Sequence, residues 1–213
     1  MKAALVFSIC IIILSLIIGI ALYPSLPDQM ASHWNARGQV DGSMPRFWGV
    51  FLMPIISISM LILFLLIPKI DPLKKNVQKF RKYFDSFILM IIAFLFYIYA
   101  LTLIWNLGTT FNMSVLIIPG IALLFFTAGV LVSHAERNWF IGIRTPWTLS
   151  NDVVWKKTHK VGGVLFKIAA LLALVGIFFP RYALFFVIIP VLGMVVFTLV
   201  YSYVVYRQVE KKR

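Results

Sequence analysis

The chain has 213 residues, of which 62% are hydrophobic and only 13% are charged. Soluble domains contain about 45–50% apolar and about 25% charged residues, so this composition excludes a water-soluble globular protein. A single cysteine excludes a disulfide framework and a cysteine-based zinc cluster within one chain. In a soluble protein, the net charge of +13 would suggest a nucleic-acid partner. In a membrane protein, the positions of the positive charges indicate first which loops are cytoplasmic.

Six apolar runs approach or exceed the length of about 20 residues that a helix needs to cross the hydrocarbon core. In chain order, the predicted spans are Ala3–Tyr23, Phe47–Pro68, Ser86–Ile104, Met113–Ser133, Val161–Pro180 and Tyr182–Tyr206. The third and fourth spans form one charge-free stretch, which a polar segment from Trp105 to Asn112 divides. The sequence therefore predicts an all-α polytopic membrane protein with six transmembrane helices.

The positions of Lys and Arg predict the orientation of these spans, because both residues accumulate in cytoplasmic loops. Of the 20 Lys and Arg residues, 16 lie at one end of the spans, in the termini and in the loops 69–85 and 134–160. The opposite end carries only three, which are Arg37, Arg46 and Arg181. We therefore predict that both termini are cytoplasmic and that the loop 24–46 is external.

The same loops divide the chain into predicted domains. Residues 1–68 form a two-span domain, residues 69–85 a basic cytoplasmic loop, and residues 86–213 a four-span domain. The basic loop is too short to hold a nucleic-acid-reading fold, so we predict no direct nucleic-acid binding. Its charge fits contact with anionic membrane lipids, at about 1 kcal/mol for each basic residue near the surface.

The external loop carries a polar cluster that is a candidate ligand contact. Its members are His33, Trp34, Asn35, Arg37 and Asp41. In one interpretation it is a compact turn, in which His33 and Asn35 satisfy backbone groups and Trp34 lies at the membrane interface. A second interpretation is contact with a peptide or another ligand, and a third is a metal site. The third is the weakest, since neither a His-x-x-x-His motif nor a Cys pair accompanies His33.

The loop 134–160 does not have the composition of a solvated linker, since it holds three Trp and one Phe. Pro146 prevents one helix from running through the loop. Ser150 or Asn151 is a suitable N-cap, and Asp152 would follow in the first turn, where the helix dipole favours a negative charge. The sequence predicts that a new helix starts here and continues into the fifth span.

A basic stripe follows that predicted helix into the membrane. Lys156, Lys160 and Lys167 fall within about 40° of each other at 3.6 residues per turn. Lys167 lies inside the span, where a charge is costly. Its side chain either extends back to the cytoplasmic interface or pairs with a charge on a ligand or partner.

Catalytic chemistry has weak support in this loop. Its titratable or nucleophilic residues include His134, Glu136, Ser150, Asp152 and His159. A zinc deaminase would need paired cysteines, and no Gly-x-Ser-x-Gly motif presents a nucleophile. The spans contain no Asp or Glu, which disfavours an ion-coupled transporter. We predict that the protein is not an enzyme and uses no cofactor, while a metal at His134 and His159 stays open.

The segment from Arg137 to Trp155, RNWFIGIRTPWTLSNDVVW, resembles the signature of the SdpI-like membrane proteins, the immunity family against the sporulation-delaying toxin. The signature positions carried over are Asn138, Gly142, Arg144, Thr145, Pro146, Trp147, Thr148, Leu149 and Trp155. With Arg137 and the basic stripe, they form our candidate partner-binding surface. The N-terminal part, with Leu26-Pro27, His33-Trp34-Asn35 and Gly38, looks like the two-span domain of unknown function that often precedes this signature.

The resemblance implies a prokaryotic, multi-pass plasma-membrane protein that protects its cell against a secreted, membrane-active peptide toxin. It also implies a cytosolic helix-turn-helix repressor that the cytoplasmic loops retain at the membrane. The alternative is an exporter or sensor of lipid-like amphiphiles, or a membrane-stress protein without a toxin partner.

Overall fold

The computed structural model describes residues 2–211. Lys212 and Arg213, two of the charges used above to predict orientation, lie outside the described residues, as do Met1 and the side chain of Lys2. Six helices are long and apolar enough to cross a membrane, which confirms the predicted all-α architecture with six spans. They are α1 (Lys2–Leu22), α2 (Arg46–Ile70), α4 (Arg81–Asn106), α5 (Met113–His134), α7 (Asp152–Gly176) and α8 (Phe185–Glu210). Two short helices, α3 (Lys74–Lys79) and α6 (Pro146–Ser150), lie between them.

The loop 24–46 contains an antiparallel β-hairpin, for which the sequence analysis predicted no strands. Its strands are β1 (Gln29–Trp34) and β2 (Val40–Pro45). A tight turn joins the strands, as the compact-turn interpretation expects, since Gly38 has a φ of 75° and donates its amide to the Asn35 carbonyl at 2.8 Å. The strands contain few β-branched residues, so their sequence does not indicate them. Packing holds them: Met30 is fully buried against Gly49 of α2.

The long helices pack in a continuous series. The helices α1 and α2 contact α4, α4 contacts α5, α5 contacts α7, and α7 contacts α8. The most extensive of these contacts joins α5 to α7, where Gly129 and Gly163 bring the two backbones close together. We call the β1–β2 side of the bundle the hairpin end and the opposite side the loop end. The predicted orientation places the hairpin end outside the cell.

Candidate functional site

At the loop end, Asn138 organises the first half of the loop 134–160. Its side chain is fully buried. Its Nδ2 donates to the carbonyls of Glu136 at 2.8 Å and Ile141 at 2.9 Å. Its Oδ1 accepts the amides of Phe140 at 2.9 Å and Ile141 at 2.6 Å. One amide side chain thus satisfies four backbone groups, which makes Asn138 the centre of a tight turn.

The turn closes on His159 and Trp155 of α7. Gly142 has a φ of 115° and lies so close to His159 that a Cβ atom would meet its Nε2. The Nε2 atom accepts the amide of Ile143 at 3.0 Å, and Nδ1 lies 2.9 Å from the Trp155 carbonyl. An amide can only donate and a carbonyl can only accept, so His159 is held as the neutral tautomer with its proton on Nδ1. The imidazole stacks on Trp155 with 3.9 Å between ring centroids.

The second half of the loop is a capped helical turn fixed to α8. Thr145 and Thr148 form a reciprocal capping box at the start of α6, with Pro146 in the first turn. The Thr145 hydroxyl also donates to the hydroxyl of Ser202 on α8 at 3.1 Å. Trp147 packs on Tyr203 with 5.1 Å between ring centroids. The loop therefore folds as a compact plug against the bundle.

The sequence prediction of a second helix start in the loop is confirmed. The Asn151 side chain accepts the amides of Val153 at 2.8 Å and Val154 at 3.2 Å, so it is the N-cap of α7. Asp152 in the first turn pairs with Arg137, whose Nε lies 2.6 Å from the carboxylate. Arg137 also donates to the Leu149 carbonyl at 2.8 Å. This arginine joins both halves of the loop.

Two polar side chains from the N-terminal half hold the loop in position, and neither was predicted from the sequence. Asp71 follows α2 and is 2% exposed. Its Oδ1 accepts the amide of Leu73 at 2.7 Å, and its Oδ2 accepts the amide of Trp139 at 2.9 Å. Asn76 on α3 donates to the Arg137 carbonyl at 2.8 Å. Both hydrogen bonds are made to backbone atoms of the loop, so no pattern of side chains in the loop predicts them.

The signature residues divide into a buried and an exposed group. The buried members are Asn138, Thr145, Thr148 and Trp155, and they hold the loop together. The exposed members are Arg144, Pro146, Lys156 and Lys160. The remaining members are partly exposed, and they are Arg137, Gly142, Trp147 and Leu149. Trp139, which is 51% exposed, lies beside Arg144, whose guanidinium donates to the Trp139 carbonyl at 2.7 Å. A partner at this end would meet the exposed group.

The basic stripe on α7 extends to the surface where α7 packs against α5. Lys167 is half-buried, and its Nζ lies 5.9 Å from the centre of the Phe126 ring on α5. Gly163, near the same side of α7, leaves no room beside the lysines, because it is buried at the crossing with Gly129 and Ser133. The small residue therefore serves close helix packing.

At the hairpin end, the predicted polar cluster is only partly brought together. His33 and Asp41 face each other across the hairpin, with Nδ1 and Oδ1 2.5 Å apart. The Asn35 side chain accepts the amides of Arg37 at 2.8 Å and Gln39 at 3.2 Å, as expected of a turn residue. Trp34 packs edge-on against Trp105 of α4. Arg37 is exposed and has no acidic partner among the described residues.

Asn106 attaches the hairpin to the end of α4. Its Oδ1 accepts the amide of Ala31 at 2.8 Å, and its Nδ2 donates to the carbonyl of the same residue at 3.1 Å. The side chain thus bonds to Ala31 as a neighbouring strand would. Ser114 on α5 adds a bond to the Asn35 carbonyl at 3.1 Å.

We expect Asn106→Asp to loosen the hairpin, because a carboxylate cannot donate to the Ala31 carbonyl. The loss is worth about 1–3 kcal/mol for a part-buried group, which would speed exchange of the hairpin amides by about 5- to 150-fold. Hydrogen exchange of the full protein measures this. Asn151→Asp is the matched control, since Asn151 lies at the loop end, its side chain accepts amides as an N-cap, and Asp caps equally well. Equal exchange in both variants would contradict the role of Asn106.

An apolar cavity lies within the bundle near each end. The cavity under the hairpin has a volume of about 330 Å³, and its lining includes Trp34, Met53 and Ile118. The cavity under the turn of Gly142 has a volume of about 280 Å³, and Phe64 and Phe166 are among its lining residues. Both are near the lower limit of ligand pockets.

The histidines do not gather for metal binding. Within residues 2–211, no three His, Cys, Asp or Glu side chains are grouped closely enough to hold a metal ion. His134 stacks on Tyr83 and bonds to the Val130 carbonyl at 2.9 Å, whereas His159 faces Ile143 and Trp155. The geometry of this end is that of a structural plug.

Six apolar helices and a signature loop closed by its own hydrogen bonds define a polytopic membrane protein, and two segments of the chain match family models. Residues 134–202 match the SdpI/YfhL protein family, and residues 10–58 match a domain of unknown function, DUF1648. The chain is a multi-pass plasma-membrane protein, and it is similar to the SdpI/YfhL family over the segment in which the sequence signature predicted that resemblance.

One relative is similar over nearly the whole chain. It is the immunity protein SdpI of Bacillus subtilis (strain 168), which is 27% identical over 209 residues, an alignment that covers 98% of each chain. No solved structure matches the chain.

Proposed function

We propose that this protein is a membrane immunity protein that protects its cell against a secreted, membrane-active peptide. The observation that carries the proposal is the similarity to the immunity protein SdpI, which runs through the hairpin, all six spans and the signature loop. The two family matches fall on the two ends of the bundle where polar side chains are organised.

In this proposal the peptide meets the hairpin end, around His33, Trp34 and Arg37. The hairpin is joined to α4 through Asn106 and to α5 through Ser114. Both helices continue to the loop end, where α5 packs closely against α7. A peptide can shift the loop only if it binds one arrangement of these helices more tightly than another.

The second part of the proposal is that the loop end retains a cytosolic helix-turn-helix repressor. Support comes from its exposed surface, where Trp139 and Phe140 lie beside Arg144. Exposed aromatic residues next to an arginine are typical of protein interfaces. Lys156 and Lys160 add positive charge, which anionic lipid headgroups would also attract.

Survival of toxin-sensitive cells that express the protein tests the first part, with the family's killing peptide as the challenge. We expect wild type to protect, and His33→Ala and Arg144→Ala to lose most of the protection at equal membrane levels. Lys157→Ala is the control, because Lys157 is exposed at the loop end and lies outside the signature. Wild type that gives no protection would favour the alternative, a sensor or exporter of lipid-like amphiphiles.

Sedimentation of the family's repressor with membranes tests the second part. We expect wild-type membranes to retain the repressor after exposure to the peptide, and Trp139→Ala membranes to retain much less. Protection without retention would remove the signalling role and leave immunity in place.

A further inference from the structure

The cavity under the hairpin, which we call the hairpin cavity, combines an apolar interior with a cationic rim. Its apolar wall on α5 runs from Met113 to Ile121. The eight residue steps from Met113 to Ile121 correspond to about 12 Å along the helix axis. Met53 on α2 and Val187 on α8 line other sides, so the cavity lies within the membrane-spanning part of the bundle.

An open recess continues the hairpin cavity toward the surface. Its volume is about 470 Å³, and it is lined by Arg37, Asn112, Pro180 and Arg181. The two spaces adjoin, because Ala36 and Met113 line the cavity while their chain neighbours Arg37 and Asn112 line the recess. Arg37 comes from the hairpin turn and Arg181 from the segment before α8, so the fold brings together two distant positive charges.

Both arginines are available to a ligand. Each is exposed, and neither forms an ion pair with any acidic residue in the described part of the chain. The two carboxylates of the hairpin region are already engaged, since Asp41 pairs with His33 and Asp28 pairs with Arg46. An anion in the recess would therefore meet two guanidinium groups and no competing carboxylate from these pairs.

We propose that the hairpin cavity and its recess form a binding site for one anionic phospholipid. The phosphate would lie between Arg37 and Arg181 at the interface, and one acyl chain would extend along α5 to Ile121. Charge complementarity at the rim and an apolar depth of about 12 Å along the helix axis match a lipid better than a soluble anion. This site does not depend on the proposed immunity function.

Fluorescence quenching of Trp34, which lines the cavity, tests the proposal on the full-length protein in lipid nanodiscs. The probes are phosphatidylglycerol and phosphatidylcholine with brominated acyl chains, and the Trp34 component is the difference between wild type and Trp34→Phe. We expect brominated phosphatidylglycerol to quench Trp34 preferentially. Each arginine should contribute about fivefold to the preference, so Arg37→Gln/Arg181→Gln should abolish it. Lys211→Gln, at the loop end, should leave it unchanged.

A second variant tests the apolar half of the site. Ile117→Phe fills the cavity while keeping both arginines, and we expect it to reduce quenching of Trp34 by both lipids in protein that remains folded. Equal quenching by the two lipids in wild type, or an unchanged preference in the double arginine variant, would overturn the proposal. Shielding of Trp34 by the toxin peptide without any lipid preference would also overturn it and would assign the site to a peptide. The lipid preference is measured without the peptide, and survival is measured without the lipid probes, so this test and the immunity test fail separately.

Discussion

Gly163→Ala is expected to destabilise the protein by about 2–4 kcal/mol, although it adds a single methyl group to a helix. The new Cβ would come within 2.7 Å of the Gly129 carbonyl oxygen and would collide with the Ser133 hydroxyl. Neither can give way easily, because the carbonyl belongs to the backbone of α5 and the hydroxyl is bonded to it at 2.8 Å. The helices α5 and α7 would have to separate along their most extensive contact.

Thermal unfolding of the full protein in detergent, followed by tryptophan fluorescence, measures this effect. We expect the midpoint to fall by about 5–15 °C for a chain of this size. Gly193→Ala is the matched control, since Gly193 also lies inside a spanning helix but a Cβ there would meet nothing within 4 Å. Ala is the better helix former, so the control should be neutral or slightly stabilised. Similar midpoints for both variants would show that α5 and α7 are not in close contact.

Asn138→Asp is the second substitution with a large expected effect. The change keeps the shape of the side chain and replaces two N–H donors by a carboxylate oxygen. That oxygen would face the carbonyls of Glu136 and Ile141, in a position with no exposed surface. Leaving two buried acceptors unpaired beside a buried charge costs about 2–4 kcal/mol.

The effect of Asn138→Asp is measured both on the folding of the loop and on the stability of the whole protein. We expect a lower unfolding midpoint and faster protease cleavage between Arg137 and Lys157. Asn151→Asp is the matched control in the same loop, because Asn151 caps α7 through its acceptor oxygen alone. Asp is an equally good N-cap and favours the helix dipole. Cleavage of the two variants at the same rate would refute the assignment of Asn138 as the centre of the turn.

The features predicted correctly from the sequence are those with a local cause. Hydropathy over about 20 residues is enough to find each span. The N-cap at Asn151 and the turn at Gly38 follow from the chemistry of single side chains. The signature around Arg137–Trp155 was sufficient to predict the match of residues 134–202 to the SdpI/YfhL family.

The features that sequence reasoning missed depend on contacts between distant segments. The strands β1 and β2 are held by packing of Met30 on Gly49 and by the bonds from Asn106. Asp71 and Asn76 bind backbone atoms of the loop, which every sequence offers equally. The crowding beside Gly163 also has a distant cause, because only the position of α5 decides which side of α7 is crowded.

The hydrogen bonds of Asn106 to backbone atoms affect which positions of the hairpin can vary among relatives. In the hairpin this side chain bonds only to the amide and the carbonyl of Ala31, groups that any residue except proline supplies. These bonds therefore do not depend on the exposed side chains of the hairpin, which can change without detaching it from α4. Such an arrangement lets one membrane scaffold carry hairpins with many different surfaces.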